Sequence, residues 1–146
     1  MKRIWPVDAL VKVFRDAQPG DRRVGVVWHT QGAGKSYSMA MFTRKVHRKL
    51  GGNFTFLVLT DRDDLDTQIY KTFAGCGIVD HDKEPCRASS GDHLSRLLTE
   101  HKAYIFSLIQ KFNQNVDPDE GYTKRDDVIV ITDEAHRTQY GTLALN

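Results

Sequence analysis

The sequence predicts an α/β fold in which a mostly parallel central sheet is flanked by helices. Apolar runs of strand length occupy 24–28, 54–59, 103–108 and 128–132. These runs are continuous rather than alternating, which indicates strands that are buried on both faces. Because helical patterns separate the runs, the strands are expected to lie parallel, with helices on both sides of the sheet.

The first half of the chain is expected to form a strand, a helix, a strand and a second helix, in that order. The β-branched run 24–28 predicts the first strand. Apolar residues three and four positions apart in 39–50 predict a helix, which the glycine pair 51–52 ends. The run 54–59 predicts the second strand, and the apolar stripe in 65–73 predicts the second helix.

The second half of the chain adds two further strands and a short helix. The aperiodic segment 79–91 predicts an irregular loop, and the leucines of 94–98 mark a short helix. A strand-like run follows at 103–108. The polar segment 113–127, with its proline and glycine, predicts a mobile surface loop, and 128–132 predicts the last clear strand.

A phosphate-binding loop is predicted between the first strand and the first helix, where 29–36 has the sequence HTQGAGKS. Glycines let successive backbone N–H groups turn inward around phosphate oxygens, and the following helix adds the positive end of its dipole. The loop therefore predicts binding of a nucleotide such as ATP. The alternative is a glycine-rich turn that binds no ligand. The expected nucleotide-binding residues are Gln31, Gly32, Ala33, Gly34, Lys35, Ser36 and Tyr37.

Two side chains of this loop have individual expected roles. Lys35 can reach the outer phosphates as a catalytic residue, and Ser36 can place its hydroxyl on Mg²⁺. The usual pattern opens with a glycine where this chain has His29. Because that first position bends the chain out of the strand and does not touch phosphate, nucleotide binding is expected to survive the change.

An acidic pair follows the last predicted strand, where residues 133–136 have the sequence DEAH. The carboxyl end of a strand in a parallel sheet is where ligands bind, at the same edge as the phosphate loop. Asp133 is expected to hold Mg²⁺, and Glu134 to accept a proton from the water that attacks the γ-phosphate. His136 is expected to couple nucleotide state to a neighbouring element. The alternative for these four residues is a chance helix start.

Four stretches resemble superfamily 2 helicases and translocases, and among them the motor (HsdR-type) subunit of type I restriction endonucleases. They are WHTQGAGKS at 28–36, VLTDRDDLDTQ at 58–68, FSLIQKF at 106–112 and DEAHRTQYG at 133–141. The second and fourth stretches point most narrowly to the restriction family. The resemblance implies a RecA-like P-loop NTPase domain that uses ATP and Mg²⁺ to translocate double-stranded DNA before a separate nuclease domain cuts it.

The resemblance also implies residues that line the path of the DNA. These are Thr60, Arg62, Ser107 and Gln110, which stand in the second and third stretches. Both stretches follow strands, so these residues are expected at loop edges, with short donors suited to sequence-independent phosphate contact. An equally weighted alternative is helix capping, with Thr60 or Asp61 at the start of the helix over 65–73.

The resemblance further implies partners and domain limits. A lead-in segment is expected at 1–23, followed by the first RecA-like domain at 24–146, truncated at its carboxyl end. The expected partners are double-stranded DNA, the specificity and modification subunits of a restriction complex, and the second RecA-like lobe with its arginine finger. The sequence ends at Asn146 without that lobe, so the chain alone is expected to be inactive. The alternatives are an RNA or repair helicase, or a nucleotide-dependent interaction module without turnover.

Composition fits one globular domain and excludes several protein classes. The 146 residues are 40% hydrophobic and 27% charged, with a net charge of +2. Two cysteines do not form a disulfide framework, and no run approaches the roughly 20 apolar residues of a membrane span. The expected setting is therefore cytoplasmic, without membrane contact.

Several polar side chains are assigned to solvent. His47 and His101 have polar helical surroundings and are expected to be solvated. Lys45, Arg48 and Lys49 form a basic cluster that is expected on the helix face opposite the apolar stripe, with contact to nucleic acid as the alternative.

Overall fold

The computed structural model describes residues 34–80, 86–112 and 123–133, which form a parallel sheet and its flanking helices. The helices are α1 (Lys35–Leu50), α2 (Asp63–Gly75), α3 (Gly91–Thr99) and α4 (Ile109–Phe112). The strands are β1 (Thr55–Thr60), β2 (Tyr104–Leu108) and β3 (Val128–Thr132). The predicted strand at 24–28 and parts of the two predicted loops, 81–85 and 113–122, lie outside the described residues.

The described sheet has the strand order β2-β1-β3, and both pairings are parallel. Leu59 of β1 pairs with Ser107 of β2 on one side and with Thr132 of β3 on the other. The carboxyl ends of the three strands therefore lie at one edge of the sheet. All six residues of the central strand are buried. The predicted α/β class with a parallel sheet is therefore confirmed, and the sheet brings the residues that follow β1, β2 and β3 to the same edge.

Apolar side chains cover both faces of the sheet, because neighbouring residues of each strand point to opposite sides. Val58 and Phe106 pack against α1 and α2, where Phe73 is fully buried. Burial of a side chain of this size stabilises the fold by about 1.5–3 kcal/mol. On the opposite face, Leu57 and Ile105 pack against the leucines of α3.

The helix boundaries agree with the predicted ones. α1 ends at Leu50, and Gly51 follows it with a left-handed φ of 63°, as the glycine pair predicts. The first turn of α2 contains three aspartates, whose negative charges interact favourably with the positive end of the helix dipole. Its N-cap is Arg62 and has no side-chain capping hydrogen bond, so neither Thr60 nor Asp61 occupies the cap position.

Three local features differ from the sequence-based expectations. The segment 79–91 is not wholly irregular, because Arg87 forms a parallel β-bridge with Phe106. The short helix α4 directly continues β2 and was not predicted. His47 is half-buried and its ring lies edge-on to those of Phe56 and Tyr104, so the prediction of a solvated side chain is wrong. In the described parts of the chain, no helix has the length and apolar character needed to cross a membrane.

Candidate functional site

An ion pair connects the first residue of α1 with the residue that follows β3. The Nζ of Lys35 lies 2.6 Å from Oδ1 of Asp133. The side chain of Asp133 is only 7% exposed, and its backbone N–H donates to the carbonyl of Leu59 at 3.0 Å. The backbone of Asp133 is therefore fixed to the central strand, and Lys35 reaches its carboxylate from the start of α1.

Gly34, the described residue at the entry into α1, has a backbone conformation that favours glycine. Gly34 occupies the N-cap position with a left-handed φ of 79°, and its carbonyl accepts from the N–H of Ser38 at 3.1 Å. Among the described residues, no side chain caps the helix, and its first turn has no acidic residue. The first N–H groups and the positive end of the dipole are thus not neutralised by a side chain of the helix itself.

The donor types at this site fit Mg²⁺. Ser36 is the second residue of α1 and offers a hydroxyl, and Asp133 offers a carboxylate. Mg²⁺ prefers such oxygen ligands and is commonly held by one or two carboxylates together with substrate phosphates. In the described ranges, no group of three or more His, Cys, Asp or Glu side chains could hold a metal ion alone. This donor set therefore suits a metal that arrives with a phosphate ligand.

Part of the predicted site lies outside the described residues. These positions are Gln31, Gly32, Ala33, Glu134 and His136. Tyr37, another predicted nucleotide-binding residue, is described and is 62% exposed. The described members of the two predicted halves are therefore Gly34, Lys35, Ser36 and Tyr37 on one side and Asp133 on the other, and the ion pair between Lys35 and Asp133 joins them.

The four residues predicted to line the DNA path divide into a buried pair and an exposed pair. Thr60 is the last residue of β1, directly before the loop, whereas Ser107 lies within β2. They are 0% and 2% exposed, which closes both hydroxyls to a ligand in this form. Arg62 and Gln110 are exposed, at the carboxyl ends of the same two strands. Contact of these residues with DNA stays a prediction.

The exposed pair is held by local hydrogen bonds. Gln110 donates from Nε2 to the carbonyl of Asp61 at 2.8 Å, which joins the loop after β1 to α4. Arg62 donates from Nε and Nη2 to the carboxylate of Asp64 at 3.2 and 3.0 Å. The two surface segments that follow β1 and β2 therefore form one continuous edge.

Sequence reasoning missed a buried ion pair beside this edge. Asp66 is 3% exposed and accepts from Nε of Arg87 at 2.9 Å and from Nη2 of the same residue. Burial raises the pKa of Asp66, and the guanidinium of Arg87 offsets part of that rise. The signal was present in α2, because Asp66 lies three and seven positions before Ile69 and Phe73 and shares their buried face. Nothing in the aperiodic segment around Arg87 marked it as the partner.

The family model of the SWI2/SNF2 ATPases matches residues 4–146. A curated protein of Methanocaldococcus jannaschii, named putative type I restriction enzyme MjaIXP endonuclease subunit, is 42% identical over 146 residues, 96% of this chain. The type I restriction enzyme HindI endonuclease subunit of Haemophilus influenzae is 39% identical over 135 residues, 88% of this chain. The alignment covers 13% of the length of each of these relatives. No solved structure matches the chain at a significant level.

Proposed function

Because the chain belongs to the SWI2/SNF2 ATPase family, we propose that it forms the nucleotide-binding part of an ATP-driven motor that translocates double-stranded DNA in a type I restriction endonuclease. Family membership supports hydrolysis of ATP. The names of the two relatives confirm the resemblance to type I restriction endonuclease subunits and support a complex that acts on DNA. The observation on which the proposal chiefly rests is the 2.6 Å contact between Lys35 and Asp133.

The paired charges of Lys35 and Asp133 are those that a magnesium nucleotide requires. The ammonium of Lys35 can move from Asp133 to an outer phosphate oxygen, and the Asp133 carboxylate is then available to Mg²⁺ together with the Ser36 hydroxyl. Mg²⁺ supplies charge neutralisation for the phosphoryl group that is transferred. Gly34 and the uncapped start of α1 add backbone N–H donors for the phosphates.

Turnover requires residues beyond this ion pair. Glu134, next to Asp133 in the sequence, is proposed to accept the proton of the attacking water. His136 is proposed to couple nucleotide state to a neighbouring element. A second RecA-like lobe is proposed to supply an arginine finger, whose loss in comparable enzymes costs roughly 10³–10⁵ in rate.

DNA is proposed to lie along the edge formed by the segments after β1 and β2. Arg62 and Gln110 are exposed there and can donate to backbone phosphates without reading sequence. This edge is close to the ATP site in the fold, because Asp133 is hydrogen-bonded to Leu59 immediately before the end of β1. Specificity and modification subunits are proposed to select the DNA target.

The test is ATP hydrolysis by the full-length protein, together with its partner subunits, with and without double-stranded DNA. DNA should stimulate turnover, and Lys35→Ala should abolish it because the outer phosphates lose their cation. Lys49→Ala is the matched control, since it removes an exposed lysine at the far end of the same helix. Stimulation by RNA alone would favour an RNA helicase, and nucleotide binding without turnover would favour an interaction module.

A further inference from the structure

We propose that Arg87 is a positioning residue, which fixes the segment 61–67 against the segment 106–111 and so holds Arg62 and Gln110 at the spacing that DNA contact requires. This inference rests on the proposed function. It concerns a residue outside the motifs that predicted the site, since Arg87 lies in the aperiodic stretch before α3.

The side chain of Arg87 is bound to the first turn of α2. Nε and Nη2 both donate to Oδ2 of Asp66, and Nη2 also lies 3.4 Å from Oγ1 of Thr67 and 3.7 Å from Oδ1 of Asp63. The guanidinium carbon is 5.9 Å from the ring centroid of Tyr70, within the range of a cation–π contact. One arginine thus contacts side chains from the first two turns of α2, and all of them lie on one face of that helix.

The backbone beside Arg87 is bound to the other segment. Arg87 bridges to Phe106 of β2, and the N–H of Ala88 donates to the Phe106 carbonyl at 2.9 Å. The carbonyl of Ala88 in turn accepts from Nζ of Lys111 in α4 at 3.2 Å. The side chain of Arg87 therefore reaches α2 from a backbone that is attached to β2 and α4.

Polar contacts add to the strand pairing and apolar packing that set the distance between the two segments. A cleft of about 170 Å³ lies between them and is lined by Asp66, Arg87, Ser107 and Lys111, among others. Where side chains do not fill the space, hydrogen bonds of fixed length must define the spacing. The direct bond between Gln110 and Asp61 then fixes the outer rim of the same edge.

The burial of this ion pair argues for positioning more than for stability. Asp66 is almost fully buried, and Oδ1 has no hydrogen-bond partner among the described residues. Removing such charges from water costs free energy that their attraction only partly offsets, so an apolar pair would serve folding equally well. A guanidinium with several fixed donor directions gives defined geometry, which an apolar pair does not.

The experiment compares Arg87→Ala, Arg87→Lys and a control in the full-length protein with its partner subunits. Each variant is assayed for basal ATP hydrolysis, for the DNA concentration that gives half-maximal stimulation, and for its thermal unfolding temperature. Arg125→Ala is the matched control. Arg125 is also a largely buried arginine with several acceptors, but it ties Leu98, Thr55 and Asp127 at the opposite edge of the sheet.

Arg87→Ala should raise the half-saturating DNA concentration roughly tenfold, which corresponds to about 1.4 kcal/mol, and leave basal hydrolysis within about twofold. Arg87→Lys should recover part of the loss because it keeps one charged donor for Asp66. Arg125→Ala should lower the unfolding temperature without changing the half-saturating DNA concentration.

Two results would overturn the inference, and they differ from each other. In the first, DNA stimulates the unaltered protein, and both Arg87 variants have the same half-saturating DNA concentration as that protein. Arg87 then does not position the edge, and the proposed function stands. If DNA does not stimulate the unaltered protein at all, the proposed function fails and the inference fails with it.

Discussion

The ammonium of Lys35 and the carboxylate of Asp133 lie 2.6 Å apart, which joins the start of α1 to the end of β3. Because the Lys35 side chain is 40% exposed, the contact adds only about 1 kcal/mol or less to the free energy of unfolding. Its importance is positional, since it places a cation for phosphate and an anion for Mg²⁺ at one point of the sheet edge.

Asp133→Asn should greatly reduce ATP hydrolysis while leaving the protein folded. The substitution keeps the shape of the side chain but removes the charge offered to Mg²⁺. Loss of a residue that only supports a metal ligand costs roughly 10- to 100-fold in activity. Asp133 is proposed to hold Mg²⁺ itself, so we expect a larger fall in kcat. The measurement is kcat with Mg-ATP and saturating DNA, with the thermal unfolding temperature as the control for folding. An unchanged kcat would remove Asp133 from the metal site.

Glu134→Gln should separate nucleotide binding from turnover. The amide cannot accept the proton of the attacking water, but it leaves Lys35, Ser36 and Asp133 in place to bind Mg-ATP. Titration with a fluorescent nucleotide should therefore give a Kd close to that of the unaltered protein, whereas steady-state hydrolysis stops. Lys35→Ala is the comparison, because it should weaken binding itself. Equal turnover in Glu134→Gln and the unaltered protein would show that another group is the base.

The order of elements and the meeting of the two motifs could be predicted from the sequence. Continuous apolar runs separated by helical stripes predict a parallel sheet, and a parallel sheet brings the ends of its strands to one edge. The contact between Lys35 and Asp133 follows from that rule without knowledge of any distance. The glycine pair after Leu50 likewise marked the end of α1, because a left-handed residue cannot continue a helix.

Contacts between elements could not be predicted in the same way. Arg87 reaches Asp66 from a stretch without periodicity, so no pattern indicated where its side chain would point. Thr60 and Ser107 were expected at loop edges because each stretch follows a strand. Both residues belong to the strands themselves, Thr60 as the last residue of β1 and Ser107 within β2, and both are buried.

Gly34→Ala should weaken nucleotide binding through backbone strain alone. An added β-carbon would meet no atom of the described residues within 4 Å, but φ is 79°, a left-handed conformation that costs an L-residue roughly 1–2 kcal/mol. The strain should distort the phosphate loop and so weaken its contacts with the nucleotide. Gly75→Ala is the matched control, because Gly75 ends α2 with equally open surroundings and no left-handed φ is recorded there. Isothermal titration with Mg-ATP should find reduced affinity only for Gly34→Ala; equal affinity in both variants would contradict the prediction.

The half-buried ring of His47 should make the protein less stable as the pH falls. Burial lowers the pKa of His47 in the folded chain, where its ring lies edge-on to Phe56 and Tyr104 and its Nε2 is buried without a hydrogen-bond partner among the described residues. The unfolded chain, with a histidine pKa of about 6.5, therefore binds more protons, so the free energy of unfolding decreases as the pH falls through and below that value. Urea unfolding between about pH 7.5 and 5 should show a weaker pH dependence for His47→Leu. His101→Asn is the control at an exposed histidine, and an equal change in both variants would refute the assignment to His47.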